Sequence, residues 1–203
     1  MLDLDDTLFD RMAALRAWAD AAAQGELGRP LSVAEWNLLV EIDGRGHRPR
    51  EEFAADARER LGLSVDGSRF GHRLVEHLVP EPGVAETLAQ LAATVRLAVV
   101  TNGGTAQRVK LARLGLDKIV HAVFVSGELG ETKPALDIFE RALRWAEHPA
   151  ADVLFVGDDP IIDIAPAATL GMATAWRRRK ATWPSELAGP THFIDAITEL
   201  ASL

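Results

Sequence analysis

The stretch that decides the fold is the amino-terminal segment Met1-Leu2-Asp3-Leu4-Asp5-Asp6-Thr7-Leu8-Phe9-Asp10. In it, apolar residues lead into two carboxylates that are two positions apart. If residues 1–4 form a strand of an open α/β sheet, Asp3 and Asp5 lie at its carboxyl end, the edge where such sheets bind ligands. Two close carboxylates require a cation or a proton between them, and their oxygens suit Mg2+, which usually also binds phosphate. The alternative is an acidic helix amino terminus, where the helix dipole favours carboxylates.

The bulk composition predicts a globular protein whose main partner is neither nucleic acid nor a membrane. The chain has 203 residues, of which 48% are hydrophobic, and a net charge of −8. This charge opposes binding to nucleic acid or to an anionic membrane surface. Because the chain has no Cys, it has no disulfide framework, thiol nucleophile or Cys-based zinc site. With no apolar run of about 18 residues and no signal-peptide pattern, we expect a cytoplasmic protein.

The pattern after Phe9 is helical for about seventy residues and then alternates between helices and strands. In the helical part, Ser32–Glu35 forms a capping-box sequence, a further helix follows Pro49, and a last one is predicted from Ser68 to Leu78. The later apolar runs predict strands at 97–100, 122–125, 153–156, 172–176 and 192–194, separated by helices at 105–114, 135–145 and 161–170. This alternation predicts right-handed crossovers and a doubly wound parallel sheet.

Polar residues follow the carboxyl ends of the predicted strands. Asp3 and Asp5 follow the first strand, and Thr101-Asn102-Gly103 follows the second. Lys133-Pro134 and Gly157-Asp158-Asp159, with Asp163 further on, follow the next two. Because these strand ends share one edge of the sheet, we expect the residues to converge on one crevice. Taken singly, Thr101 could simply end a strand, Lys133 could be a solvated loop lysine, and Asp158 and Asp159 could cap the following helix.

In these motifs the chain resembles the haloacid dehalogenase superfamily, and more narrowly its metal-dependent, phosphoglycolate phosphatase-like branch with an inserted helical cap. Asp-x-Asp-x-Thr, Thr-Asn-Gly, Lys-Pro and Gly-Asp-x-x-x-x-Asp occur in the family's order and approximate spacing, and the resemblance covers essentially the whole chain. It implies a Rossmann-like catalytic core formed by residues 1–9 and 82–203 and an all-helical cap formed by residues 10–81. Only Met1 and Leu2 precede Asp3, whereas the family usually has a longer strand there.

The resemblance implies a Mg2+-dependent phosphatase that hydrolyses a small phosphorylated metabolite through an aspartyl-phosphate. Asp3 would attack phosphorus, and Asp5 would protonate the leaving alcohol and then deprotonate the attacking water. Asp3, the backbone carbonyl of Asp5, and Asp158 would hold the metal, with Asp163 as an anchor for Lys133 or for a metal-bound water. The expected phosphate-binding groups are Thr101, Asn102, Gly103 and Lys133.

Single residues distinguish this branch from its neighbours in the superfamily. The dehalogenase branch lacks the second carboxylate of the first motif, so the presence of Asp5 favours phosphate esters. The phosphonate-cleaving branch uses a cap lysine, and no Lys precedes Lys110. The remaining alternatives are a phosphomutase, which shares all the motifs, and a non-catalytic binding module that retains the fold.

The predicted cap offers few candidates for substrate selection. Its polar loop at residues 43–48 contains Arg45, the best candidate to bind a second anionic or hydroxyl group, although the loop could be an ordinary turn. Arg11, next to a predicted hinge, is a second candidate. The basic run Arg177–Lys180 is interpreted as a solvated loop or an oligomer contact, and either a monomer or a homodimer is expected.

Overall fold

The computed structural model describes residues 1–179 and 181–203 of the chain. The chain divides into two compact units. The sheet unit consists of residues 1–10 and 79–203, and the helical unit of residues 11–78. In the two ranges described, no helix is both long and apolar enough to cross a membrane.

The helical unit packs its helices around an aromatic core. Its helices are α1 (Arg11–Leu27), α2 (Val33–Asp43), α3 (Arg50–Leu61) and α4 (Phe70–Val75), with 3-10 turns at Gly44–Gly46 and Gly67–Arg69. The ring of Phe70 lies 4.8 Å from Trp18 and 4.6 Å from Phe53, measured between centroids. The capping box predicted at Ser32 and Glu35 is confirmed. The helix predicted from Ser68 to Leu78 is shorter, because residues 76–78 donate to carbonyls three residues back ahead of Pro80.

The sheet unit contains the predicted parallel strands. They are β1 (Ala98–Thr101), β2 (Ala122–Val125), β3 (Leu154–Gly157), β4 (Ala173–Arg177) and β5 (His192–Ile194). Strand β1 pairs with β2, and β4 pairs with β3 on one side and β5 on the other, always in parallel. Each strand lies within one residue of its predicted position. The predicted α/β fold class with a parallel sheet is therefore confirmed.

The amino-terminal segment lies between β1 and β3 and joins the two groups of strands. Leu2 forms parallel bridges to Val99 and to Val156. Its backbone N–H donates to the Ala98 carbonyl at 2.9 Å, and the Asp3 N–H donates to the Val156 carbonyl at 2.9 Å. The predicted first strand is thus reduced to a bridge at one residue, because the chain turns directly afterwards. The turn includes a left-handed residue at Asp6, with a φ of 59°, and a hydrogen bond from the Leu8 N–H to the Leu4 carbonyl.

The helices of the sheet unit precede or alternate with its strands along the chain. They are α5 (Val84–Ala92), α6 (Ala106–Arg113), α7 (Ser126–Leu129), α8 (Leu136–Ala146) and α9 (Ala165–Thr169), with 3-10 turns at Ala150–Asp152 and Ile197–Ser202. The helix predicted at 161–170 is instead a π-helical turn, Pro160–Ile164, followed by α9. Pro166 explains the break, because it cannot donate the backbone hydrogen bond that a continuous α-helix needs there.

Candidate active site

A buried row of charges joins Asp3, Lys133 and Asp163. The Lys133 Nζ donates to Asp3 Oδ1 at 2.6 Å and to Asp163 Oδ1 at 2.6 Å. All three residues are buried. Asp3 follows the Leu2 bridge, Lys133 lies in the loop after α7, and Asp163 lies in the π-helical turn. The sequence therefore places these three residues far apart along the chain, and the fold brings them into direct contact.

Gly157, the last residue of β3, permits the close approach of Asp163. A Cβ atom at position 157 would lie 2.5 Å from the Cβ of Asp163, which is too close for two non-bonded carbon atoms. The second carboxylate oxygen of Asp163 accepts a hydrogen bond from the Asp159 N–H at 3.2 Å. Both oxygens of Asp163 thus have donors, as an anchoring role for this residue requires.

A cluster of carboxylates beside Lys133 offers oxygen ligands to a metal ion. One carboxylate oxygen from each of Asp3, Asp158 and Asp163 lies within 4.8 Å of the other two. Asp158 is held in place by the Thr7 hydroxyl, which donates to its Oδ1 at 3.3 Å, and by the Trp176 indole N–H, which donates to its carbonyl at 2.7 Å. Hard carboxylate oxygens at this spacing fit Mg2+.

The electrostatics of the site favour a positive charge next to Asp3. Burial raises the pKa of Asp3 from 3.8 to about 6, against the opposing effect of the Lys133 ammonium group, and the carboxylates of Asp163 and Asp5 add to the increase. Burial alone would lower the pKa of Lys133, but the charges of Asp163 and Asp3 outweigh it and raise the pKa. Lys133 is therefore an ammonium ion, and a bound cation would lower the raised pKa of Asp3.

The loop after β1 is tied to the loop that contains Lys133. The Asn102 side-chain amide donates to the Lys133 carbonyl at 2.9 Å, and its oxygen accepts the Lys133 N–H at 2.9 Å. The Gly103 N–H donates to the Ser126 hydroxyl at 2.9 Å. The structure therefore gives the Asn102 side chain a connecting role, in addition to the backbone N–H that the sequence suggests for phosphate. Thr101, the residue before Asn102, is buried.

Asp5 has two nitrogen donors on helix α6 that sequence analysis missed. The Lys110 Nζ lies 2.5 Å from Asp5 Oδ1 and 2.9 Å from Oδ2, and the Gln107 Nε2 lies 2.7 Å from Oδ2. Gln107 and Lys110 are both buried. The available signal was their spacing of three, which places them on one face of a helix just after the Thr-Asn-Gly motif. Polar residues at such positions ordinarily indicate a solvent-facing surface, so the signal is ambiguous.

The alternative interpretation of Asp159 as a helix cap is confirmed. Its Oδ1 accepts the backbone N–H groups of Ile161 at 2.8 Å and Ile162 at 3.0 Å, at the start of the π-helical turn. This interaction explains why two adjacent aspartates follow β3: one caps the turn, while its neighbour Asp158 joins the carboxylate cluster.

From the sequence, the basic run at residues 177–180 is interpreted as a solvated loop or an oligomer contact. For Arg177, the first residue of the run, this interpretation is wrong. Arg177 is buried, and its guanidinium donates to the Thr7 carbonyl and to Glu81. Arg179 donates to the Asp6 carbonyl and also to Glu81. Arg177 ends β4, and both guanidinium groups contact backbone carbonyls of the turn that follows Asp5. Lys180 lies outside the described residues.

In the helical unit, the residues suggested for substrate selection have different environments. Arg11 is buried, and its guanidinium donates to both carboxylate oxygens of Asp43 at 2.7 and 2.8 Å. Arg50 also donates to Asp43, at 3.1 Å. Arg45 is exposed and has a left-handed backbone with a φ of 53°. The contacts of Arg11 therefore indicate that it fixes the loop, whereas Arg45 is exposed.

Comparison with known proteins gives matches along most of the chain. A family model for haloacid dehalogenase-like hydrolases matches residues 1–171. The chain is 32% identical to the pyrimidine 5'-nucleotidase YjjG of Escherichia coli (strain K12), over 87% of this chain and 79% of that protein. It is 33% identical to a ribulose-1,5-bisphosphate 5-phosphatase of Halopiger xanaduensis, over 100% of this chain and 97% of that protein.

A solved structure has the same fold. The HAD hydrolase YfnB from Bacillus subtilis, bound to magnesium, is similar with a TM-score of 0.81 and 25% sequence identity. The similarity covers 99% of this chain and 95% of that one. The fold described above therefore matches the fold of this hydrolase along nearly the whole length of both chains.

Proposed function

The chain belongs to the haloacid dehalogenase-like hydrolase family, and we propose that it is a Mg2+-dependent phosphatase acting on a small phosphorylated metabolite. The observation that supports this most directly is the contact of Lys133 with Asp3 and Asp163, next to Asp158. The named relatives act on phosphate monoesters, a nucleotide in one case and a sugar bisphosphate in the other. The enzyme is accordingly a phosphoric monoester hydrolase.

Asp3 is the nucleophile of the proposed reaction. A carboxylate oxygen of Asp3 attacks phosphorus, the bond from phosphorus to the ester oxygen breaks, and the electron pair of that bond stays on the ester oxygen. Lys133 holds the Asp3 carboxylate at 2.6 Å and keeps a positive charge beside it. When bound by Asp3, Asp158 and the Asp5 carbonyl, Mg2+ supplies further charge stabilisation for the phosphoryl oxygens. The product of this step is an aspartyl-phosphate.

Asp5 is the acid and base of the proposed reaction. Its carboxyl group gives a proton to the departing ester oxygen, which leaves as an alcohol. The resulting carboxylate then takes a proton from a water molecule that attacks phosphorus, and the bond from phosphorus to Asp3 breaks. The Thr101 hydroxyl and the N–H groups of Asn102 and Gly103 bind the phosphoryl oxygens in both steps. For the Gly103 N–H, this requires exchange of its present acceptor, the Ser126 hydroxyl.

Metal removal tests the proposed function. We expect the protein to release phosphate from p-nitrophenyl phosphate and from members of a panel of sugar phosphates, phosphoglycolate and nucleotide monophosphates. Treatment with EDTA should abolish this release, and added Mg2+ should restore it, because without the metal ion the buried carboxylates outnumber the charge of Lys133 and repel an anionic phosphate. Phosphate release by a colorimetric assay is the measurement. Absence of release from every compound in the presence of Mg2+ would contradict the proposal.

Arg45 is proposed to select substrates with a second anionic group. For Arg45→Ala we expect KM for a sugar bisphosphate to rise about tenfold, the cost of losing one charged hydrogen bond, with little change for p-nitrophenyl phosphate. Arg58→Ala is the matched control, because Arg58 is likewise exposed and lies on α3 of the same unit. If the KM of Arg45→Ala equals that of the parent protein for each of the two substrates, the loop has a purely structural role.

A further inference from the structure

Helix α6 places two buried polar side chains against Asp5, and the mechanism described so far gives them no task. Gln107 and Lys110 are 3% and 5% exposed, although buried helix positions ordinarily hold apolar residues. Burial of an amide and of an ammonium group is unfavourable unless both are hydrogen-bonded. Here Asp5 satisfies part of that requirement for both side chains.

Gln107 connects Asp5 to the proposed phosphate-binding loop through one nitrogen atom. Its Nε2 lies 2.7 Å from Asp5 Oδ2, 2.7 Å from Thr101 Oγ1 and 3.0 Å from the Asn102 carbonyl. A single side chain thus contacts the proposed acid and base and two residues of the loop. Movement of Asp5 relative to that loop would break at least one of these contacts.

Gly103 provides the space that Gln107 occupies. A Cβ atom at position 103 would lie 2.9 Å from Gln107 Cγ and 3.0 Å from its Cδ. The backbone at Gly103 has a φ of 136°, which residues with side chains rarely adopt. The glycine of the Thr-Asn-Gly motif therefore allows the loop to fold closely over the Gln107 side chain.

From this geometry we infer that Gln107 and Lys110 are positioning residues that hold the Asp5 carboxyl group beside the phosphate-binding loop for proton transfer to the leaving oxygen. The inference rests on the proposed function and assigns residues that act through Asp5. Lys110 fixes both oxygens of the carboxylate, and Gln107 sets its distance from Thr101. Misplacement of a catalytic group by about 1 Å lowers rates by roughly 10²-fold.

The dependence of the rate on the leaving group tests this role. An alkyl phosphate such as β-glycerol phosphate needs a proton on its ester oxygen as the bond to phosphorus breaks, whereas p-nitrophenolate leaves without one. In Gln107→Leu and in Lys110→Met we expect kcat/KM for β-glycerol phosphate to fall about 10²-fold and that for p-nitrophenyl phosphate to fall less than about threefold. The measured quantity is the ratio of the two kcat/KM values in one preparation, which does not depend on the fraction of folded protein.

Exposed residues of the same types provide the controls. Gln90→Leu on α5 and Lys118→Met after α6 change residues that are exposed, so their ratios should equal that of the parent protein. If the parent hydrolyses both esters and the ratio stays within about twofold in both test variants, well short of the loss expected from a misplaced acid, the positioning role is refuted. If the parent hydrolyses neither these two esters nor any other compound of the panel, the proposed function itself fails, and this inference fails with it.

Discussion

Asp3→Asn is expected to lower phosphatase turnover by about 10⁴-fold or more, because it removes the atom that forms the bond to phosphorus. An amide is a far weaker nucleophile than a carboxylate, so the variant cannot form the bond to phosphorus at a useful rate. The side chains of Asn and Asp have nearly the same shape, so the surrounding core should keep its packing. Steady-state release of p-nitrophenolate with Mg2+ present is the measurement.

A trapping experiment makes this expectation specific to the covalent step. Acid quenching of the parent protein during turnover should yield a phosphorylated peptide that contains Asp3, detectable by mass spectrometry, and Asp3→Asn should yield none. Asp137→Asn is the matched control, because Asp137 is exposed on α8 and is not a member of the carboxylate cluster. Full turnover by Asp3→Asn would exclude Asp3 as the nucleophile and with it the proposed mechanism.

The parts of the site that could be predicted from the sequence are those that follow apolar strands. Short apolar runs such as Val153–Val156 identify buried parallel strands, and the residue that follows such a run lies at the carboxyl edge of the sheet. This rule places Asp158 after β3 and Thr101 at the end of β1, as the structure has them. Residues at the strand ends can therefore be predicted without knowledge of the tertiary contacts.

The parts that could not be predicted are polar residues whose burial depends on tertiary contacts. Gln107 and Lys110 belong to a helix with many polar residues, so its periodicity does not reveal which face is buried. Arg177 belongs to a run of basic residues that suggests exposure to solvent, and only its contacts with the Thr7 carbonyl and with Glu81 make its burial favourable. In both cases the residue that makes burial favourable is more than 90 positions away in sequence: Asp5 for Lys110, and Glu81 for Arg177.

Lys133→Met is expected to lower both the stability and the activity of the protein. Lys133 lies 2.6 Å from each of two buried carboxylates, and its removal leaves Asp3 and Asp163 facing each other without a positive charge. Loss of one partner from a buried ion pair typically costs about 3–5 kcal/mol in the free energy of unfolding. Turnover should fall by about 10²–10³-fold, the usual cost of removing one group that stabilises developing charge. Urea unfolding and steady-state kinetics are the measurements.

The pH dependence of the stability loss identifies its cause. Burial gives Asp3 a folded-state pKa of about 6, above its unfolded value of 3.8, so between these values the folded state binds more protons and the free energy of unfolding decreases as the pH rises. Removal of the Lys133 charge raises the folded-state pKa of Asp3 further and extends this decrease above pH 6. The variant should therefore lose more stability at pH 8 than at pH 5, and Mg2+ should restore part of the loss at pH 8.

Lys118→Met, at an exposed position, should change the free energy of unfolding by less than about 0.5 kcal/mol. A loss for Lys133→Met that is equal at both pH values and unaffected by Mg2+ would indicate a packing defect and would contradict the role of Lys133 as the charge partner of Asp3.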